Sequence, residues 1–250
     1  HFFSAMLDVH RILKGNKGIS LTWNDCRISV DMLKRILHVG IPRAIQQLAD
    51  SLGLIVIQSF ANSFGTNFVA MNGIIQKLDT FALLPMRAIG ETVTMYNAQN
   101  LGAGKYDRIK EGNKKSIALV FCVGLSIGLF FFFAVKMVFS LFLSTSDPGY
   151  HDIVRMGKEC VRILAFFYSV YGVQQILSAI MAGMGDTKPV MLIGLCCIII
   201  RVGLTYWMAM ITRQYQNLFW STNIYNTIFM TATLIYYNFK MSKQKRNSRE

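Results

Sequence analysis

The 250-residue sequence predicts an all-α membrane protein built as a six-transmembrane-helix bundle. Three observations carry that expectation. Apolar stretches run over 37–62, 67–98, 116–143, 160–182, 190–212 and 216–239, each near the ~20 residues that cross a hydrocarbon core. Lysine and arginine crowd into alternate connections between them, as short cytoplasmic loops require. With 53% apolar residues, 16% charged residues and a mean hydropathy of +0.38, the chain is too apolar for a soluble domain of this length.

The elements follow in order. Residues 1–13 (HFFSAMLDVHRIL) form a short apolar run with no basic segment before it, and read as the end of a preceding transmembrane helix. Residues 14–36 read as a cytoplasmic linker, with Gly15, Gly18 and Asn24-Asp25 as turn and cap residues before a short amphipathic helix. The six-helix lobe occupies 37–240, and 241–250 is a basic cytoplasmic tail. Seventeen lysines and arginines fall in 11–36, 99–115, 183–189 and 240–250, against one, Arg213, in the alternate segments 63–66, 144–152 and 213–215. The helix starting near Leu37 therefore runs outward, and the C-terminus lies inside a multi-pass protein of the cell inner (plasma) membrane.

A net charge of +13 would suggest nucleic acid in a soluble chain. Here the charge belongs to loops facing anionic membrane lipid, so no nucleic-acid partner is expected. The five cysteines, Cys26, Cys122, Cys160, Cys196 and Cys197, have no CxxC spacing and lie mostly in apolar spans, which makes them free thiols acting as small apolar residues. His1, His10, His38 and His151 show no HxxxH or HExxH spacing, so no metal site is expected.

An ionisable group inside an apolar span is costly and faces the bundle interior or a water-filled cavity. On the first span Gln47, Ser51, Gln58 and Asn62 share a narrow arc, flanked by Gln46 and Asp50. Asp50 is the one charge of that stripe. So placed, it either binds a cation or holds a proton; the alternative is an aspartate satisfied by Gln46 and neighbouring hydroxyls. The second span carries Asn72, Gln76, Lys77, Asp79, Arg87 and Glu91 and is punctuated by Pro85, which should kink it. Arg87 and Glu91 are spaced to neutralise each other along one helix face. Lys77 and Asp79 point to different sides, Lys136 snorkels at a helix end, and Arg201 sits deep enough to need an acidic or carbonyl partner.

Two short motifs invite enzymatic readings; the first fails, and the second stays only as a minor alternative. Gly102-Ala103-Gly104-Lys105 lacks the glycine and the Ser/Thr that a phosphate loop needs, having Gln99 and Tyr106 there. Gly183-Met184-Gly185-Asp186 matches the GxGD of intramembrane aspartyl proteases, whose chemistry requires a second aspartate close by. Tyr106-Asp107, in a basic loop, is a poor candidate for it.

Gly40-Ile41-Pro42, Asn62-Ser63-Phe64-Gly65, Lys77-Leu78-Asp79 before Leu84-Pro85, the run Ala98 to Arg108 and Gly183 to Pro189, in this order, resemble the C-terminal half of the MATE (multidrug and toxic compound extrusion) transporters. The Gln-Asn-x-Gly-Ala-Gly-Lys block is the most specific part. The resemblance implies one lobe of a two-lobe twelve-helix transporter, with a missing N-terminal six-helix lobe as its partner and alternating access to a central cavity. It implies no enzyme and no cofactor, but efflux of organic, cationic substrate driven by Na⁺ or H⁺ as coupling ion. Na⁺-coupled members carry an acid eight positions after the proline matched by Pro42, which is Asp50. Their second acid aligns near Tyr171, where this chain has none. Gln46, Gln47, Gln58, Lys77, Asp79 and Tyr171 are the expected polar residues of the cavity, and Met71, Phe81, Phe166, Phe167 and Tyr168 either line it or pack. A lipid-linked oligosaccharide flippase of the same superfamily is the alternative, requiring several basic cavity residues, for which Lys77, Arg87 and Arg201 are candidates. A non-transporting membrane scaffold would leave Asp50 without a role.

Overall fold

A computed structural model describes residues 29–144, 146–147 and 149–247, with Phe3, Met6, Leu7 and His10, and no side chain beyond Ser242. Residues 14–28 of the expected linker 14–36, most of the run 1–13 and the basic groups of the tail from Lys243 onward lie outside the described residues. Six long helices follow one another: α1 Val30–Asn62, α2 Thr66–Gly102, α3 Tyr106–Ser140, α4 Tyr150–Gly183, α5 Thr187–Thr205 continued by a π-helical segment Tyr206–Ile211, and α6 Gln216–Asn247. Ile41–Glu250 form one compact unit; His1–Gly40, described mainly as the first turns of α1, form another.

The helix bodies fall where the apolar stretches predict, but several ends reach further. α3 begins at Tyr106 inside a segment expected as a basic loop, because Lys110, Lys114 and Lys115 are good helix formers and Glu111 pairs with Lys115 at 2.6 Å one turn on. α4 begins at Tyr150, so Arg155, Lys158 and Arg162 sit in its first turns, at the end of the bundle reached from the C-terminus of α3. The contrast between the two ends is therefore narrower than the loops alone suggested. α2 runs unbroken through Pro85.

Both glycine-pair motifs turn out to be one kind of helix stop. After α2, Lys105 N–H donates to Asn100 C=O at 2.8 Å and Gly104 N–H to Leu101 C=O at 3.1 Å, with Gly104 at φ 68°. After α4, Asp186 N–H donates to Met181 C=O at 2.9 Å and Gly185 N–H to Ala182 C=O at 3.0 Å, with Gly185 at φ 74°. This is the Schellman arrangement, which satisfies the last carbonyls and needs a left-handed residue that glycine supplies without a Cβ clash.

α4 is the hub, packing on α2, α3 and α6, while α5 packs chiefly on α6. Phe68, Met71, Met86, Val120, Phe139, Cys160, Ile176 and Ile180 form the main core between these helices. Small residues let α3 and α4 approach closely: a Cβ on Gly124 would lie 2.7 Å from the Ser169 Cα, and one on Gly128 would run into the Ala165 carbonyl oxygen. α1 is attached thinly, with Pro42, Gly53 and Ala61 as its buried residues. Outside the core, Phe133, Phe166, Ile199 and Trp207 stand exposed, a distribution suited to hydrocarbon rather than water. Among the described residues, Tyr106–Ser140, Tyr150–Gly183 and Thr187–Ile211 are long and apolar enough to cross a membrane by length and composition. The other three of the expected six carry the polar residues of the cavity described next, which dilutes their apolar character.

Gly128→Ala tests the α3–α4 contact. Alanine gains about 0.5–1 kcal/mol of helix propensity, but its methyl meets backbone that no rotamer change can move, and overpacking costs about 1–3 kcal/mol. The expected outcome is a lower thermal unfolding midpoint of the purified full-length protein in detergent; an unchanged or raised midpoint contradicts the packing described.

Candidate functional site

A cavity of about 870 Å³ opens among α1, α2, α4, α5 and α6. α1 brings Asp50 to its wall. Gly53 of that helix rests against Ile198, and Gly194 of α5 leaves the space that the Gln46 amide occupies, so α1 lies close along α5 at this level. Across the cavity the Tyr225 hydroxyl of α6 donates to Asp50 Oδ1 at 3.2 Å. The guanidinium of Arg201 lies over the ring of the same tyrosine, 5.1 Å from its centroid, and Nη2 donates to Thr222 Oγ1 at 3.3 Å. The Arg201 Nε is buried and has no hydrogen-bond partner among the described residues. Asp50 and Arg201 are within electrostatic reach of each other, yet they form no ion pair; those of the described residues are Lys115–Glu111, Arg155–Asp152 and Lys240–Asp186. In place of the acidic or carbonyl partner expected for Arg201 stand an aromatic face and a hydroxyl, with an acid held one tyrosine away.

A second carboxylate, Asp79 of α2, accepts a 2.5 Å hydrogen bond from the Tyr168 hydroxyl of α4. Tyr168 is itself buried against Phe131. One turn along α4, the Tyr171 hydroxyl accepts from Gln175 Nε2 at 2.5 Å and lies beside Arg87. Toward the α1–α2 connection a set of amides meets. Gln58 Oε1 accepts from Gln76 Nε2 at 2.8 Å and Asn72 Nδ2 at 3.2 Å, while Gln58 Nε2 donates to Asn62 at 3.1 Å.

The cavity therefore collects Asp50, Gln46, Gln47, Gln58, Asp79 and Tyr171 from the residues the sequence singles out. Lys77 is the exception. It is exposed on α2 with its ammonium 5.4 Å from the Phe142 ring centroid, and it is not among the lining residues, because two positions along a helix turn it to another side from Asp79. Arg87 and Glu91 line the cavity too, but they do not pair with each other at ion-pair distance; Arg87 lies against Tyr171 instead. Asp186 accepts from Lys240 Nζ at 2.6 Å and Tyr236 Oη at 2.7 Å, a salt bridge joining the α4–α5 turn to α6. Its neighbours are a base and a phenol, so it has none of the acid-pair surroundings that the protease reading requires.

Sequence reasoning named no site residue of α6, and that is where Asp50 and Arg201 find their partners. The available signal was the row Ser221, Thr222, Asn223 and Asn226 in an otherwise apolar span: Ser221, Asn223 and Asn226 are buried, and Thr222, Asn223, Tyr225 and Asn226 line the cavity.

Comparison with known proteins gives a consistent result. The sequence profile of the MatE family matches residues 42–207. The chain is 30% identical over 160 residues to the probable multidrug resistance protein YpnP of Bacillus subtilis (strain 168), an alignment covering 64% of this chain and 35% of that protein. It is 28% identical over 183 residues to the probable multidrug resistance protein NorM of Pseudomonas syringae pv. tomato, covering 73% of this chain and 38% of that one. The matched part thus spans little more than a third of these curated relatives. Among solved structures, a MOP superfamily transporter from Pyrococcus furiosus superposes with a TM-score of 0.87 at 19% identity, over 98% of this chain and 54% of that chain. With its family profile matched over most of its length and its fold shared with solved transporters, the chain is a multi-pass membrane protein and belongs to the MatE family.

Proposed function

We propose that this chain forms one lobe of a secondary active transporter that exports organic, cationic compounds in exchange for Na⁺ or H⁺ by alternating access. The observation that carries this reading is the Asp50 carboxylate, half-buried on the wall of a large cavity and given its one hydrogen bond among the described residues by Tyr225. A carboxylate that lacks a direct ion-pair partner inside a bilayer is a place for a cation or a proton. The names of the relatives, probable multidrug resistance proteins, support export. Occupancy of Asp50 by the coupling ion favours one cavity orientation and lowers affinity for a cationic substrate; the ion drives the change only through its different affinity for the two states. The coupling partner in this reading is an N-terminal six-helix lobe, the membrane is the cell's inner membrane, and the C-terminus is cytoplasmic.

A second reading, flipping of a lipid-linked anion, is favoured by Arg43, Arg87 and Arg201 all lining the cavity. Asp50, Asp79 and Glu91 line it as well, so the cavity has no positive excess to hold a pyrophosphate, and export of cations is preferred.

Ethidium efflux from cells expressing the full-length gene, with Na⁺ and pH gradients imposed separately, tests the proposal. The expected outcome is gradient-driven efflux by the wild type and at least a tenfold loss in Asp50→Asn at equal membrane expression. Equal efflux and equal ion dependence in the two would sink it. Asp79 has a different expected role, as a carboxylate fixed between α2 and α4. Tyr168→Phe removes its donor and should lower stability by about 1–3 kcal/mol, and adding Asp79→Leu should recover part of that loss, because replacing both partners removes the unsatisfied group. Thermal unfolding of the single and double variants checks this, and a double variant less stable than the single one contradicts it.

A further inference from the structure

Arg201 has no task in cation export, and its charge opposes any cation that approaches Asp50. Its surroundings are nevertheless specific. The guanidinium lies on one face of Tyr225, whose hydroxyl is the group that holds Asp50, so one side chain separates the acid from the base. Its hydrogen bonding is thin: a single bond of 3.3 Å to Thr222, with Nε buried and unpartnered among the described residues. A guanidinium presents five donors, and a buried one gains most from a carboxylate. Of the three acids lining the cavity, Asp50, Asp79 and Glu91, Asp79 is engaged by Tyr168, and Asp50 is the one within electrostatic reach of Arg201. Tyr171 is a further near neighbour of Arg201 and offers a hydroxyl rather than a charge.

We propose that Arg201 is a built-in rival of the cationic ligand for Asp50, resting on the Tyr225 ring and Thr222 while a cation is bound and engaging the carboxylate when the cation leaves. The inference rests on the export reading, since it takes the ligand to be a cation. It assigns Arg201 as a positioning and specificity residue: the arginine keeps cation affinity low enough for release and supplies Asp50 with a counter-charge in the empty cavity. Tyr225 is the pivot, accepting the guanidinium on its face and donating its hydroxyl to the acid.

The test is binding of tetraphenylphosphonium to the purified full-length protein, measured for wild type, Arg201→Gln, Arg201→Lys and Thr222→Val. Removing one positive charge from the far side of Tyr225 should tighten binding about tenfold in Arg201→Gln, from the Coulomb energy of unit charges about 10 Å apart at an effective dielectric of ~20. Arg201→Lys keeps the charge and should bind within about twofold of wild type, which a merely structural role for the guanidinium would not predict. Thr222→Val keeps the arginine but removes its hydrogen-bond acceptor, freeing it toward Asp50, and should weaken binding severalfold; it serves also if Arg201→Gln does not fold. Wild-type binding with no tightening in Arg201→Gln, or no weakening in Thr222→Val, overturns the role of Arg201 and leaves the export reading standing. Absence of binding in all four proteins overturns both.

Discussion

Three charges on the cavity wall, Asp50, Asp79 and Arg201, are each answered by a hydroxyl or an aromatic face, because hydrocarbon offers no such partner. The arrangement of the helices can be followed from that requirement. Asp50 and Arg201 lie on α1 and α5, and each turns to α6 for a partner, Asp50 to the Tyr225 hydroxyl and Arg201 to the Tyr225 ring and Thr222. Asp79 on α2 turns to Tyr168 on α4. In both cases a tyrosine, apolar along its ring and polar at its tip, connects a core-facing helix to a carboxylate, which suits a wall that is lipid-like behind and wet in front. The two clusters meet at Tyr171, near Arg87, Arg201 and Asp79.

The helices that hold these groups are unequally anchored. α4 is fixed by close packing, with glycines of α3 against its backbone and buried side chains along most of its length. The Asp79–Tyr168 pair is built between α2 and this hub, and so belongs to the rigid part. α1 from Ile41 onward buries only Pro42, Gly53 and Ala61, and touches its neighbours through the apolar Ala49, Ile57 and Phe60 as well as through Gln46, Asp50 and Gln58. Gln46, Asp50 and Gln58 are polar groups on the cavity wall. The Asp50 carboxylate therefore sits on a helix that buries few residues.

The helix bodies were legible in the sequence because an apolar span is a long-range signal that survives local irregularity. Their ends were not, since α3 begins among lysines and α4 among arginines and lysines, where hydropathy reads loop but helix propensity and one-turn charge pairs continue the helix. The π-helical stretch Tyr206–Ile211 left no mark either. At the site, Asp50 and Arg201 were conspicuous as charges in apolar runs. Their partners were invisible because tyrosine and threonine are ordinary in such spans, and the contact of Tyr225 with Asp50 joins residues 175 positions apart. Lys77 shows the converse: a charge in an apolar run that, being turned away from Asp79, lies over Phe142 outside the cavity.

Placing acid and base on opposite sides of one tyrosine, rather than in direct contact, has an energetic consequence. A direct buried ion pair gains Coulomb energy but gives up the hydration of both ions, and breaking it later leaves an uncompensated charge. Held apart, Asp50 and Arg201 each retain a weaker partner, so either can be released without stranding the other. An acid in that state can take up a proton or cation and surrender it again at modest cost. Tight pairing would have made the site stable and inert. In the proposed carrier, which would bind and release on every cycle, the geometry at Tyr225 would keep these two alternatives close in free energy.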